Sequence, residues 1–345
     1  MEIGIGLDPT VGLNYEEQAQ LSKEAAELGY KQIWTPEGSG EDAFQTCGLR
    51  WNATREVVDG GVTTGIGVAP VAMRTPMGFA MSAGTLSKMS GGRFILGIGS
   101  GQADVPAYRR NWGIRGDSTL GLMRDYLTVI RNLLRGETVD HAGPSIELHG
   151  AKLAITPAPE TPVYMGALGP NMLKLGGECA DGVCLNWSSA EQVAASRKII
   201  AEGAERAGRD PAAVKVCEYI RVCIDEDEEA ARRAYTRSMM GYALGRLGDP
   251  PRSYRAHFER MGFADDLQRI DDLRARNAPV EEQVDAFPNE IGMAVGYFGK
   301  AEGAAEHFRR VAEGLDIALV RIVASKPGIE AARAVIRACA PAIAG

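Results

Sequence analysis

The chain has 345 residues, of which 45% are hydrophobic and 24% are charged, a composition typical of a globular protein with a large core. Its formal net charge of −7 and its lack of long Lys/Arg runs argue against a nucleic-acid or anionic-membrane surface. No stretch approaches the ~18 apolar residues of a membrane span, and the opening MEIGIGLDPT indicates a buried strand rather than a signal peptide. We therefore expect a cytoplasmic protein that binds neither nucleic acid nor membrane.

Short apolar segments recur along the chain and predict eight β-strands. In chain order they are EIGIGL, KQIWT, VTTGIGVAP, GGRFILGIGSG, TPVYMGA, GVCLNW, VKVCEYIRVCI and DIALVRIV. Apolar strands separated by helical patterns are typical of a parallel sheet covered by helices. We predict an α/β fold, a (β/α)8 TIM barrel, with an open doubly wound sheet as the alternative.

Capping residues mark the helices between these strands. Asn14 and Glu17 have the spacing of a capping box, and Gly29 follows the helix that they open. Thr75 and Pro76 suit the N-cap and the first position of a later helix.

Residues 225–290 do not fit the strand–helix repeat. The segment DEDEEAARRAYTRSMMGYAL has a helical pattern, and the charged sequence after it contains no strand pattern. We interpret this region as a helical insertion near the seventh strand, and this insertion could overhang the active site. It lies within a single domain of residues 1–345.

The cysteines and histidines do not indicate a metal site. The sequence contains no C-x-x-C pair and no H-E-x-x-H motif. We expect no metal, and reduced thiols at the six cysteines: Cys47, Cys179, Cys184, Cys217, Cys223 and Cys339.

Glycines follow the fourth strand in GRFILGIGSGQ. Gly97, Gly99 and Gly101 do not have the G-x-G-x-x-G spacing of a dinucleotide fingerprint. At the carboxyl end of a barrel strand, glycines can let a flat ring lie close to the backbone. A tight turn is the alternative.

The segment GALGPNMLKLGGECADGV passes from the fifth strand directly into a helix. If Gly169 is the N-cap and Pro170 the first helical residue, the amides of Asn171 and Met172 point out of the helix start. These amides and the helix dipole favour an anion there. A helix start capped by water is the alternative, and barrel phosphate sites more often follow strands seven and eight.

Polar and aromatic side chains follow other strands. Glu37 follows strand two, and Asp8 follows strand one with weaker support; either carboxylate could transfer a proton. Asn186 carries donors and an acceptor suited to a polar ring edge, and Trp187 could stack on a ligand or wall the barrel mouth.

Four motifs together resemble the luciferase-like oxidoreductases, which are barrels that bind FMN or the deazaflavin coenzyme F420. They are GGRFILGIGSG, the RTP helix start, VIRNLLRGETVDHAG and TPVYMGALGPNMLKLGGECADGVCLNW. The resemblance extends over most of residues 1–200 and more faintly over 290–345. The segment GALGPNMLKLGGECADG is most similar to the F420-dependent branch.

This resemblance implies phosphate binding at residues 167–172 and a ring-supporting bulge, often with a non-prolyl cis bond, at the end of strand three. With the strand-end residues above, the expected cofactor-binding residues are Val68, Ala69, Pro70, Gly99, Ser100, Gly101, Gly166, Ala167, Leu168, Gly169, Pro170, Asn171, Met172, Asn186 and Trp187.

The chain departs from the family pattern at two places. Many relatives carry Asp-His after strand two, where the histidine transfers a proton, but this chain has Pro36-Glu37. We therefore expect Glu37 as the catalytic residue. Some relatives place a glutamate after strand four, where Ser100 and Gln102 can only hydrogen-bond.

The resemblance implies an enzyme that transfers a hydride between coenzyme F420 and a small organic substrate. FMN-dependent monooxygenation with reduced flavin and oxygen is the alternative, and a non-catalytic cofactor carrier is a third possibility. Arg109, Arg110 and Arg115 could provide a basic surface for the polyglutamate tail of F420. The family also implies a homodimer.

Overall fold

The structure, a computed structural model, describes residues 1–156, 160–248 and 253–341. Its strands are β1 Glu2–Gly6, β2 Gln32–Thr35, β3 Thr63–Pro70, β4 Phe94–Gly99, β5 Val139–Ala142, β6 Glu147–Ala151, β7 Val163–Gly166, β8 Gly182–Asn186, β9 Lys215–Ile224, β10 Gly296–Gly299 and β11 Ile317–Ile322.

Eight parallel strands close into a barrel in the order β1, β2, β3, β4, β7, β8, β9 and β11. The last strand pairs with the first, with Ile317 opposite Glu2 and Arg321 opposite Gly6. These are the eight strands that the apolar segments predict. The TIM barrel is therefore confirmed, and the open-sheet alternative is wrong.

Helices surround the barrel. They are α1 Tyr15–Glu27, α2 Ala43–Thr54, α3 Pro76–Ser90, α4 Pro106–Asn111, α5 Thr119–Leu134, α6 Pro170–Cys179, α7 Ala190–Arg206, α8 Glu228–Ala243, α9 Ser253–Phe258, α10 Ala264–Ala275, α11 Val280–Ala286, α12 Asn289–Val295, α13 Ala304–Val311 and α14 Ile329–Ala338. The capping box of Asn14 and Glu17 is present, and the Thr75 side chain caps α3.

The described part of the expected insertion is helical. Helices α8 to α12 lie between β9 and β10 and continue to Val295. Residues 249–252 of this region lie outside the described residues. The short strand β10 pairs with the end of β9 and was not predicted, nor was the antiparallel hairpin β5–β6. The hairpin strands β5 and β6 are mostly exposed and lack the alternation of apolar and polar residues that would predict a strand.

The barrel interior and the insertion contain separate apolar clusters. Trp34, Tyr164 and Tyr219 fill the inside of the barrel, where they pack with Leu319. A second cluster joins the insertion helices to the ends of β8 and β9 and contains Trp187, Cys223, Tyr235, Phe258 and Phe287. Among the described residues, no helix is long and apolar enough to cross a membrane.

Candidate active site

The predicted site residues lie around one end of the barrel. Because neighbouring strands are parallel, their carboxyl ends meet there, and we call this end the barrel mouth. The cofactor-binding residues expected from the sequence lie at or directly after the carboxyl ends of β3, β4, β7 and β8, which are consecutive around the ring. Glu37 follows β2, the next strand along. The fold therefore brings these residues to one side of the mouth.

The end of β3 carries the expected backbone irregularity. Its register against β4 shifts between Ile66 and Ala69, and the peptide bond between Gly67 and Val68 is cis. The Val68 carbonyl accepts a hydrogen bond of 3.3 Å from the Glu37 amide, which ties the bulge to the loop after β2. Ala69 is fully buried, backbone included.

Three glycines make room for the Val68 side chain. A Cβ atom at Gly99 would lie 2.5 Å from Val68 Cγ2, and one at Gly97 or Gly166 would lie 3.2 Å from that side chain. The Val68 side chain therefore occupies the space beside Gly99. The approach of a cofactor ring to the glycines after strand four stays a prediction.

The loop after β4 turns sharply at Gly101, which has a left-handed φ of 58°. A Cβ atom there would lie 3.2 Å from the Pro70 ring. The Ser100 carbonyl accepts a hydrogen bond from the Ala103 amide, so Ser100 begins this turn. The loop thus packs on the end of β3.

The start of α6 has the predicted geometry of an anion site. Gly169 is the N-cap with extended backbone angles, no side chain caps the helix, and Pro170 is at its first turn. Among the described residues, apart from Gly169 and its two chain neighbours, no atom lies within 4 Å of the position that a Gly169 Cβ would occupy. Since the first amides of a helix have no intrahelical acceptor, those of Asn171 and Met172 remain available to a ligand.

An arginine of the insertion lies beside this helix start. Arg260 donates a hydrogen bond of 3.1 Å to the Leu168 carbonyl. Ala167, on the other side of Leu168, is buried, and its amide donates to the Cys184 carbonyl of β8. Sequence reasoning missed Arg260, because 92 residues separate it from Leu168.

Asn186, at the end of β8, is fixed at both ends of its side chain. Its Oδ1 accepts a hydrogen bond of 2.6 Å from Arg221, and its Nδ2 donates one of 2.7 Å to the Tyr254 hydroxyl. One amide hydrogen remains for a ligand. Sequence reasoning also missed Arg221, which lies in the apolar strand β9.

The expected stacking of Trp187 on a ligand is not compatible with its position. The side chain is fully buried, with a left-handed φ of 59°. The Arg221 guanidinium lies 3.7 Å from the centroid of its ring, and Tyr235 and Phe258 pack around it. Trp187 therefore supports Arg221 and anchors the insertion.

Glu37 is buried and held in an ion pair with Arg74. The two guanidinium nitrogens of Arg74 donate to its carboxylate oxygens at 2.5 and 2.7 Å, and the Ala43 amide donates to one of them at 3.1 Å. Arg74 also pairs with Asp42, the N-cap of α2. Proton transfer by Glu37 would require this pair to open.

Asp8 is similarly engaged. Its carboxylate forms an ion pair with Arg321 of β11 and accepts a hydrogen bond of 2.7 Å from the Thr10 amide. The Arg321 guanidinium lies 5.0 Å from the centroid of the Tyr219 ring. Asp8 therefore joins the ends of the first and last barrel strands.

One of the three arginines expected at the F420 tail has another role. Arg109 is buried and donates hydrogen bonds to the carbonyls of Ala103 and Gly116. It stabilises its own loop and is not available to an anionic tail. Arg110 and Arg115 are exposed and stay candidates.

The chain belongs to the luciferase-like monooxygenase family, whose sequence model matches residues 2–338. It is 36% identical to a 5,10-methylenetetrahydromethanopterin reductase of Methanolobus tindarius, over 63% of this chain and 64% of that enzyme. It is 31% identical to the reductase of the same name from Archaeoglobus fulgidus, over 77% of this chain and 75% of that enzyme. The first match thus spans just under two thirds of the relative.

A solved structure shares the fold over nearly its whole length. The F420-dependent tetrahydromethanopterin reductase of Methanopyrus kandleri matches with a TM-score of 0.76 at 22% identity, over 98% of this chain and 97% of that chain. This likeness confirms the luciferase-like barrel.

Proposed function

We propose that this protein is an oxidoreductase that transfers a hydride between coenzyme F420 and a small organic substrate. The observation that carries the proposal is the start of α6, where open space, free amides and Arg260 form a cradle for a phosphate. The sequence similarity to reductases and the F420 dependence of the M. kandleri protein support F420 as the cofactor.

Each part of the barrel mouth has a role in this proposal. Gly169, Pro170 and the amides of Asn171 and Met172 hold the phosphate, and Arg260 adds a positive charge. The bulge at Val68 provides an apolar support for the ring, and Asn186 offers its remaining amide hydrogen to the ring edge. Bound F420 supplies hydride transfer at its deazaflavin ring, and the protein orients the ring and excludes water.

Glu37 remains our candidate for the acid/base residue. Its backbone amide is hydrogen-bonded to the bulge at Val68, which supports a position of this loop beside the proposed ring site. Its ion pair with Arg74 gives it a second possible role, in which it positions the loop and α2 without touching the substrate.

FMN is the alternative cofactor, because its phosphate suits the same cradle. Titration of the purified protein with F420 and with FMN, followed by fluorescence quenching, distinguishes the two. We expect F420 to bind at micromolar concentration and FMN to bind more weakly. Tighter binding of FMN would instead identify a flavin monooxygenase, and binding of neither would contradict the phosphate cradle.

A further inference from the structure

A cavity of about 470 Å³ lies at the barrel mouth, between α8 and the ends of β1, β9 and β11. This volume is within the range of small-molecule sites, roughly 300–1,000 Å³. Three arginines line it together with Asp8, hydroxyl-bearing side chains such as Tyr242, and apolar side chains such as Ala234; the arginines are Arg221, Arg237 and Arg321.

Arg221 is a buried cation with an unused donor. Its side chain is 1% exposed, and its Nη1 donates to Asn186 while the guanidinium stacks on Trp187. Its Nη2 has no hydrogen-bond partner. In the described parts of the chain, no carboxylate oxygen lies within 4 Å of Arg221. A buried charge in this state is costly unless a ligand pairs with it.

The other two arginines of the cavity already have counter-charges. Arg321 pairs with Asp8, and Arg237 pairs with the exposed Glu281 at 2.6 Å. Glu218 forms no ion pair with Arg221 in the described structure, and burial raises the pKa of its carboxyl group to about 8. One positive charge, that of Arg221, is therefore left for the cavity.

We propose that this cavity is the substrate site and that it takes an organic carboxylate, whose oxygen receives the free N–H of Arg221. A single negative charge balances the one uncompensated arginine, and the apolar side chains of the lining contact the carbon skeleton. This inference rests on the proposed function. Arg221 donates a hydrogen bond to Asn186, which lies at the proposed ring site, so a carboxylate on Arg221 would lie beside the ring.

Benzoate and its neutral isostere benzamide test the site by calorimetric titration of the full-length protein. We expect benzoate to bind the wild type about tenfold tighter than benzamide, or more, because a charge-assisted hydrogen bond is formed only with the anion. Arg221→Gln removes this preference, and Arg221→Lys keeps part of it. Arg310→Gln, a change at an exposed arginine of α13 outside the cavity, retains the preference.

Equal affinity of the wild type for both compounds would overturn the proposal, and so would a preference that survives in Arg221→Gln. Tighter binding of phenylphosphonate than of benzoate would contradict the choice of a carboxylate. Ala234→Phe, which fills the cavity from α8, provides a second test if Arg221→Gln does not fold, because it should abolish benzoate binding.

F420 binding, measured on the same samples, separates this inference from the proposed function. A benzoate preference without F420 binding would contradict the cofactor but not the carboxylate site. F420 binding without a benzoate preference would contradict the carboxylate site alone.

Discussion

Individual carboxylates at the barrel mouth are held by arginines. Glu37 is paired with Arg74, and Asp8 with Arg321. Each pair is largely buried, so both partners lose hydration and depend on each other. The charges at this end of the barrel therefore determine how loops and strands are positioned, whatever they contribute to chemistry.

Glu37→Gln tests whether this residue transfers a proton. If it does, we expect turnover to fall by about 100-fold or more, while F420 binds nearly as in the wild type. We also expect the free energy of unfolding to fall by about 2 kcal/mol, since Arg74 loses the Glu37 carboxylate but keeps its ion pair with Asp42. Stopped-flow turnover and urea denaturation measure the two effects.

Arg74→Lys is the matched control, because it keeps the positive charge beside Glu37 but not the bidentate geometry. Equal losses of turnover in both variants would show that Glu37 acts only through the ion pair. A fully active Glu37→Gln enzyme would remove Glu37 from the mechanism.

Helix α9 packs on the end of β8 through a buried histidine. His257 Nε2 lies 3.0 Å from the Trp187 carbonyl, and Arg260 faces its Nδ1 at 3.5 Å. Nε2 donates to the carbonyl, and Nδ1 accepts from the arginine. Burial and the Arg260 charge lower the pKa of His257 to about 4.

His257 of α9 should make the free energy of unfolding decrease in acid. Above pH 6.5 the imidazole is neutral in the folded and the unfolded protein. Below that pH only the unfolded chain binds a proton, until about pH 4. The free energy of unfolding should therefore fall by up to about 3 kcal/mol across this window.

Urea denaturation between pH 7 and pH 4 measures the effect. His257→Gln should remove most of this slope, whereas His149→Gln, at an exposed histidine of the hairpin, should leave it unchanged. An identical slope in all three proteins would contradict the role of His257.

The elements could be predicted well because their signals are local. Apolar runs locate the barrel strands, and Gly169 with Pro170 locates the start of α6 within one segment of the sequence. The charges at the mouth could not be predicted, because their partners are distant in sequence. Asp8 and Arg321 are 313 residues apart, and Arg260 and Leu168 are 92 apart.

The orientation of Trp187 shows a second limit. Successive side chains of a strand point to opposite faces, so Trp187 is expected to point away from Asn186. This pattern does not predict the left-handed φ of Trp187, nor does it show that the insertion packs around its ring. Similarly, the sequence pattern predicts glycines near the proposed ring site, but it does not show that the Val68 side chain lies beside Gly99.

For the whole molecule, the barrel and the insertion share a core. Trp187 directly follows the barrel strand β8, and Cys223 belongs to β9. Both side chains nevertheless pack in the apolar cluster of the insertion. We therefore expect residues 1–345 to unfold as one domain, in a single transition. Circular dichroism and tryptophan fluorescence should give coincident urea curves, whereas two separate transitions would contradict a single domain. A homodimer stays a prediction from the family resemblance.

The most direct test of the cofactor proposal is F420 titration of the wild type, Gly169→Asp and Gly169→Ala. The space beside Gly169 accommodates either side chain, and aspartate is a favourable N-cap, so we expect both variants to be at least as stable as the wild type. Gly169→Ala should bind F420 nearly as well as the wild type. Gly169→Asp should lose binding, because its carboxylate occupies the free amides and repels the phosphate. Unchanged affinity in Gly169→Asp would show that the phosphate does not bind at this helix start.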